Sequence, residues 1–191
     1  MGGSFNPPHE GHLIVARTAL RRLRLDRLWW VVTPGNPLKS HEDLPGIGAR
    51  IEAVKALAHD PRMLATAFES ELGSPYTSAT TDFLQSRYPQ SKFVLVIGAD
   101  NLATFHHWRN WREIAGSVPL GVVDRPGWRL KALASPAARA LAGVRCAEHE
   151  AAMLPDLAPP AWVFLSTRLS HQSSTALRSS RSSRSNAAGE I

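Results

Sequence analysis

The chain has 191 residues, 43% of them hydrophobic and 20% charged, with a formal net charge of +6 at pH 7. That length suits one α/β domain with a sizeable core rather than two domains, and the proportions are ordinary for a soluble globular protein. No stretch approaches the roughly 20 apolar residues of a membrane span, no basic-then-apolar signal pattern opens the chain, and the single cysteine, Cys146, rules out an internal disulfide and fits a reducing cytoplasm.

The chain opens on Gly2-Gly3-Ser4-Phe5-Asn6-Pro7-Pro8-His9-Glu10-Gly11-His12. Residues without Cβ let a phosphate approach the main chain and let a turn use positive φ. A helix that starts just after them offers unpaired N–H groups to the same anion. His9 and His12 are three apart, so on a first helical turn they share a face. A zinc-protease pair needs histidines four apart on a continuous helix; here the spacing is one short and Gly11 weakens the helix, so the histidines are read as phosphate ligands and no protein metal site is expected. Only Met1 precedes the glycines, so the central strand that should lead into this turn is expected to be truncated, with the native start upstream.

From Leu13 to Leu25 the apolar residues Leu13, Ala16, Leu20 and Leu23 recur at helical spacing with arginines opposite. Leu28–Thr33 reads as a buried strand ended by Pro34-Gly35-Asn36-Pro37. A helix is predicted over Ile47–His59, a strand over Met63–Phe68 and a helix over Thr77–Arg87. Lys92–Ile97 is the most continuous apolar strand, of the kind parallel sheets prefer, and Leu120–Val123 and Trp162–Leu165 supply two more. Strands alternating with helices predict a doubly wound parallel sheet, with ligands at the carboxyl ends of its strands. No internal repeat interrupts the pattern. The domain is expected to span 1–180. Residues 181–191 form a Ser/Arg tail, low in apolar residues, that is expected to be disordered. Arg178, Arg181 and Arg184 carry part of the positive excess, which weakens a nucleic-acid reading of the charge.

Two further segments carry chemistry. Gly98-Ala99-Asp100-Asn101-Leu102 follows the 92–97 strand and leads into Phe105-His106-His107-Trp108 and Trp111. A carboxylate at such a strand end accepts hydrogen bonds from ribose hydroxyls, and a nearby tryptophan can stack on a flat ring. Ser173-Ser174-Thr175-Ala176-Leu177-Arg178 would make a second phosphate-binding helix start with a basic residue behind it.

Together these motifs resemble the nucleotidylyltransferase superfamily with its Rossmann-like fold. Gly-Ala-Asp-Asn-Leu-x-x-Phe-His-x-Trp and Val32-Thr33-Pro34-Gly35-Asn36-Pro37-Leu38-Lys39 resemble its bacterial nicotinate-nucleotide adenylyltransferases. Tyr76-Thr77 with Thr80 is similar to their Tyr-Thr-x-x-Thr element, with Ala79 replacing the aspartate. Val122-Val123-Asp124-Arg125-Pro126-Gly127 is similar to their Arg-Pro-Gly segment. Residues 172–178 resemble the Ile-Ser-Ser-Thr-x-Ile-Arg motif, with Gln172 and Leu177 in place of the isoleucines. The resemblance implies transfer of AMP from ATP to nicotinate mononucleotide in NAD synthesis. The near alternatives are a related enzyme acting on the amidated mononucleotide or on phosphopantetheine. His9, His12 and Arg178 would be catalytic. ATP would be held by Gly3, Ser4, Phe5, His9, His12, Gly98, Asp100, Ser173, Ser174, Thr175 and Arg178. The mononucleotide would be held by Lys39, Thr77, Asp100, Trp108, Arg109 and Arg125. Magnesium would ride on the ATP phosphates. Neither nucleic acid nor membrane is expected as a partner, and a homo-oligomer remains open.

Overall fold

The computed structural model describes residues 1–34 and 44–168. Its elements in chain order are β1 (Gly2–Gly3), α1 (Glu10–Arg22), β2 (Leu28–Val32), α2 (Ile47–Leu57), β3 (Met63–Thr66), α3 (Thr77–Arg87), β4 (Leu95–Gly98), α4 (Ala99–Thr104), α5 (Trp111–Ser117), β5 (Leu120–Val123), α6 (Arg129–Leu133), α7 (Pro136–Ala140), β6 (Arg145–Cys146) and β7 (Trp162–Leu165), with 3₁₀ turns between some of them. Every strand pairing is parallel.

The α/β reading holds, with one correction to the single sheet. Two parallel sheets form, ordered β1-β2-β3 and β4-β5-β7-β6. The break falls between β1 and β4, where a doubly wound sheet reverses its strand order. β1 spans two residues, with Gly2 opposite Val31 and Gly3 opposite Val32. It therefore covers only the carboxyl end of β2 and reaches too short a distance to join β4 along its length. A cavity of about 1680 Å³ runs from this carboxyl end down the gap between β2 and β4, past Leu25, Tyr88 and Phe93.

α1 closes the gap from one side. Leu13, Ala16, Leu20 and Leu23 are buried as their spacing predicts, while Arg17, Arg21 and Arg24 stay exposed. The helix packs on β4, β5 and β7 of the second sheet, and its buried side chains also join those of β2 in the first. Together with Trp30, Val32 and Val54 its apolar stripe makes one core cluster. The second cluster surrounds Phe105, Trp111, Trp162 and Phe164 on the opposite side, under α4–α7. The Trp162 indole N–H donates to the Leu141 carbonyl at 2.8 Å, so this ring is buried without an orphaned donor.

Predicted boundaries move by a few residues at most elements. Two strands, β5 and β7, and one helix, α3, fall where the sequence put them. The strand predicted at Lys92–Ile97 begins instead at Leu95, where its N–H meets the Pro119 carbonyl, and ends at Gly98. No strand partner lies beside 92–94 among the described residues, and Lys92 turns to an ion pair with Asp156 instead.

Candidate active site

β1 ends at Gly3, and the chain turns through Ser4 and Phe5 into α1. The left-handed conformation expected of a glycine falls on Phe5, at φ 46°. Gly3 is needed for a different reason: a Cβ there would lie 3.1 Å from the Phe5 ring. That ring is buried and packs edge-on to His12 at 5.2 Å and against Trp30 at 5.1 Å.

The two histidines form the cap of α1. His9 Nδ1 accepts from the Gly11 N–H at 3.1 Å, and His12 Nδ1 accepts from the His9 N–H at 3.3 Å. This is the reciprocal capping box usually built by Ser or Thr with Glu. Because each Nδ1 accepts, the proton of each neutral ring sits on Nε2, which is then a donor. The rings lie 3.9 Å apart. His9 is buried, and burial first, then the Arg125 guanidinium, pull its pKa down to about 4 against the opposing pull of Asp100. His9 is therefore a neutral N–H donor at physiological pH.

Across the switch point, β4 delivers Gly98 and Asp100. A Cβ on Gly98 would sit 2.3 Å from Asp100 Oδ1, so the missing side chain is what seats this carboxylate. Among the described residues Asp100 Oδ1 is buried without a hydrogen-bond partner, and Arg125 Nε lies 3.9 Å away. An unpartnered buried carboxylate oxygen is costly unless a ligand supplies donors. Arg125 thus stands beside Asp100 and His9, on the side of the glycine turn.

The third wall combines α3 with the turn before α5. Thr77 is the first residue of α3, and no side chain caps that helix, so its first-turn N–H groups retain donor capacity. The Arg109 guanidinium lies over the Tyr76 ring at 4.7 Å, joining the two segments. Trp108 packs edge-on to Phe105 at 5.2 Å and is only partly buried. Beside Ala79, Thr80 Oγ1 donates to the buried Glu69 carboxylate at 2.6 Å.

Gly3, Ser4, Phe5, His9, His12, Thr77, Gly98, Asp100, Trp108, Arg109 and Arg125 all line this cavity. Lys39, Ser173, Ser174, Thr175 and Arg178, and the tail 181–191, lie outside the described residues. The sequence reading missed Arg50, whose buried side chain reaches the Ser4 and Thr33 carbonyls at 2.9 and 2.7 Å. The available sign was an arginine inside the apolar stripe Ile47, Ile51, Val54. It also missed a polar chain at the ends of β5 and β7. Buried Asp124 pairs with Arg129 at 2.6 Å, Arg129 reaches Ser166, and Ser166 reaches Glu148, which pairs with Arg22.

A helix N-terminus carrying two imidazoles, a carboxylate in the cavity wall and a half-open aromatic wall at a switch point define a nucleotide-binding α/β protein. A family model of cytidylyltransferase-like proteins matches residues 1–180. A protein of Rhizobium meliloti (strain 1021), named "Probable nicotinate-nucleotide adenylyltransferase", is 51% identical over 95% of this chain and 96% of its own length. One of the same name from Methylorubrum extorquens is 52% identical over 93% of this chain and 96% of its own length. The solved nicotinic acid mononucleotide adenylyltransferase of Plasmodium falciparum, complexed with NaAD, shares the fold at a TM-score of 0.69 with 15% identity, over 93% of this chain and 80% of that one. The chain belongs to the cytidylyltransferase-like family, in its nicotinate-nucleotide adenylyltransferase branch.

Proposed function

We infer that the protein transfers the adenylyl group of ATP to nicotinate mononucleotide, forming nicotinate adenine dinucleotide and pyrophosphate in NAD biosynthesis. The single observation that carries this reading is the meeting, in one cavity, of the imidazole-capped turn, the unpartnered Asp100 oxygen and the Tyr76–Arg109 wall. Relatives about half identical along nearly their whole length bear the same name.

A 5′-phosphate oxygen of the mononucleotide attacks the α-phosphorus of ATP in line, and the bond to the bridging oxygen of pyrophosphate breaks. No covalent enzyme intermediate is required, so the residues position the reactants and stabilise developing charge. We assign the Nε2–H groups of His9 and His12 and the main chain of Gly3, Ser4 and Phe5 to the ATP phosphates. Asp100 accepts from ribose hydroxyls, with Gly98 giving it room and Arg125 flanking it. Trp108 stacks on the pyridine ring, and backbone N–H groups at Thr77 and Arg109 meet its carboxylate. By motif alone, Ser173, Ser174, Thr175 and Arg178 would hold the leaving phosphates and Lys39 the mononucleotide.

We place magnesium on the triphosphate, where it would neutralise phosphate charge. Phosphates and water, rather than a protein cage, would hold it; among the described residues no group of three or more His, Cys, Asp or Glu side chains gathers.

The test is pyrophosphate release with ATP and three acceptors: nicotinate mononucleotide, its amide and phosphopantetheine. Two charge-assisted contacts, at about 1.5–3 kcal/mol each, support at least a tenfold preference for the acid in kcat/KM. Turnover of phosphopantetheine but neither pyridine nucleotide would overturn the assignment. Equal use of acid and amide would overturn the carboxylate contacts alone.

A further inference from the structure

We propose that Arg50 is a positioning residue that sets the phosphate turn against the loop leaving β2, and thereby the alignment of the two reacting phosphates. The proposal rests on the adenylyl-transfer reading above.

Arg50 sits in α2, in the stripe that also carries Ile47, Ile51 and Val54, and its side chain is buried. Its guanidinium donates to main-chain carbonyls on every nitrogen. Nη1 donates to Ser4 at 2.9 Å and to Thr33 at 2.7 Å, Nη2 to Pro34 at 3.4 Å, and Nε to Pro45 at 2.8 Å. Ser4 belongs to the turn assigned to the ATP phosphates. Thr33 and Pro34 follow β2, on the neighbouring strand end. One rigid planar group therefore ties two loops from different strands and the entry to its own helix. A burial cost that lowers its pKa is accepted for this arrangement.

Such a clamp matters to an in-line displacement more than to binding. The turn can still grip the ATP phosphates when the clamp is loosened, but it is no longer held in register with the end of β2, and the distance and angle between attacking oxygen and phosphorus are then no longer fixed. Misplacement of about 1 Å costs on the order of 10²-fold in rate. Lysine cannot substitute, since an ammonium is a compact point charge and lacks the fork that spans these carbonyls.

Arg50→Lys and Arg50→Gln should therefore lower kcat about 10- to 100-fold, with KM for ATP and for nicotinate mononucleotide each within about threefold of wild type. Val54→Ala on the same helix supplies the structural control. Val54 is buried in the same core, and none of the clamp's hydrogen bonds involves it, so this variant should lose thermal stability while keeping kcat. All assays are run well below each variant's unfolding midpoint. If Arg50→Gln does not fold, Arg50→Lys, which keeps the charge and the buried stem, decides the matter. A wild-type kcat in Arg50→Lys would overturn the proposal, as would a kcat loss that Val54→Ala reproduces at equal loss of stability. A KM rise of tenfold or more with kcat unchanged would also overturn it, because that pattern belongs to a binding residue. Failure of the wild-type chain to make nicotinate adenine dinucleotide would instead remove the underlying functional reading.

Discussion

His9 caps a helix, is buried and resists protonation, and the three properties are linked. Because its Nδ1 is occupied by the Gly11 N–H and its ring is buried, protonation would have to occur in place beside Arg125. Its folded pKa of about 4 lies below the unfolded value of 6.5. As pH falls through that window the unfolded chain takes up the proton first, so this contribution to stability is complete above pH 6.5 and lost on the way down to 4. Glu69 acts in the opposite sense, since burial raises its pKa and its stabilising contribution fades as pH rises. His9→Asn keeps a good cap acceptor and removes the titration. Between pH 6.5 and 4 the wild-type midpoint should fall about 4–8 °C further than that of His9→Asn, from roughly 2 kcal/mol of linkage. Parallel melting curves across that range would refute the buried neutral histidine. Gly98→Ala offers a second residue-scale test. Its new Cβ must displace the Asp100 carboxylate, so KM for ATP should rise about 10- to 100-fold, the loss of charge-assisted hydrogen bonds. Added to Asp100→Ala, the glycine change should do little more, because both act through one carboxylate. Full additivity would show that Gly98 serves some other contact.

At the level of elements, the short connection from α4 to α5 presents the aromatic wall. Phe105 is fully buried beneath it, and Trp108 leans on Phe105 with one side toward the cavity. Trp108→Ala should raise KM for nicotinate mononucleotide about tenfold, the order expected of lost stacking and area, and leave KM for ATP within about twofold. The acid preference should survive, since its donors are main-chain groups. Equal rises in both KM values, seen in steady-state kinetics, would place the indole elsewhere. Elements set by local pattern were legible in the sequence: the apolar stripe of α1, the four-residue β5 and β7, and α3 at its full span. The five-residue α6 and α7 and the two-residue β6 carry too few residues for a period to show. The motif residues could be picked out in the same way, because their spacing is local, and those among the described residues line one cavity. Arg50, Glu69 with Thr80, and the chain from Asp124 to Arg22 were not, because each acts on carbonyls or side chains brought from distant segments by packing.

At the scale of the whole molecule, the two sheets leave a gap between β2 and β4 into which the cavity extends. Among the described residues β4 pairs only with β5, and the amino-terminal half of β2 has β3 as its only strand partner, while the Met1 ammonium donates to the Trp29 carbonyl at 2.9 Å. An apolar β-branched segment of about five or six residues fused ahead of Met1 could run between them and fill the lower cavity. Calorimetry should then show the midpoint raised by about 5–10 °C, as expected of several kcal/mol in a domain this size. A polar segment of the same length should leave it unchanged, and equal effects from both would mean that the gap does not take a strand. The all-parallel pairing has a separate consequence, for the time the chain needs to fold. No strand can pair with its partner through a tight turn; even the partners nearest in sequence, Arg145 and Trp162, are separated by a whole crossover. Each ladder begins only after a long loop has closed, so little structure repays the early loss of chain entropy. The barrier is then set by topology rather than by any one contact, and refolding belongs to the millisecond-to-second regime rather than the microseconds of helical bundles.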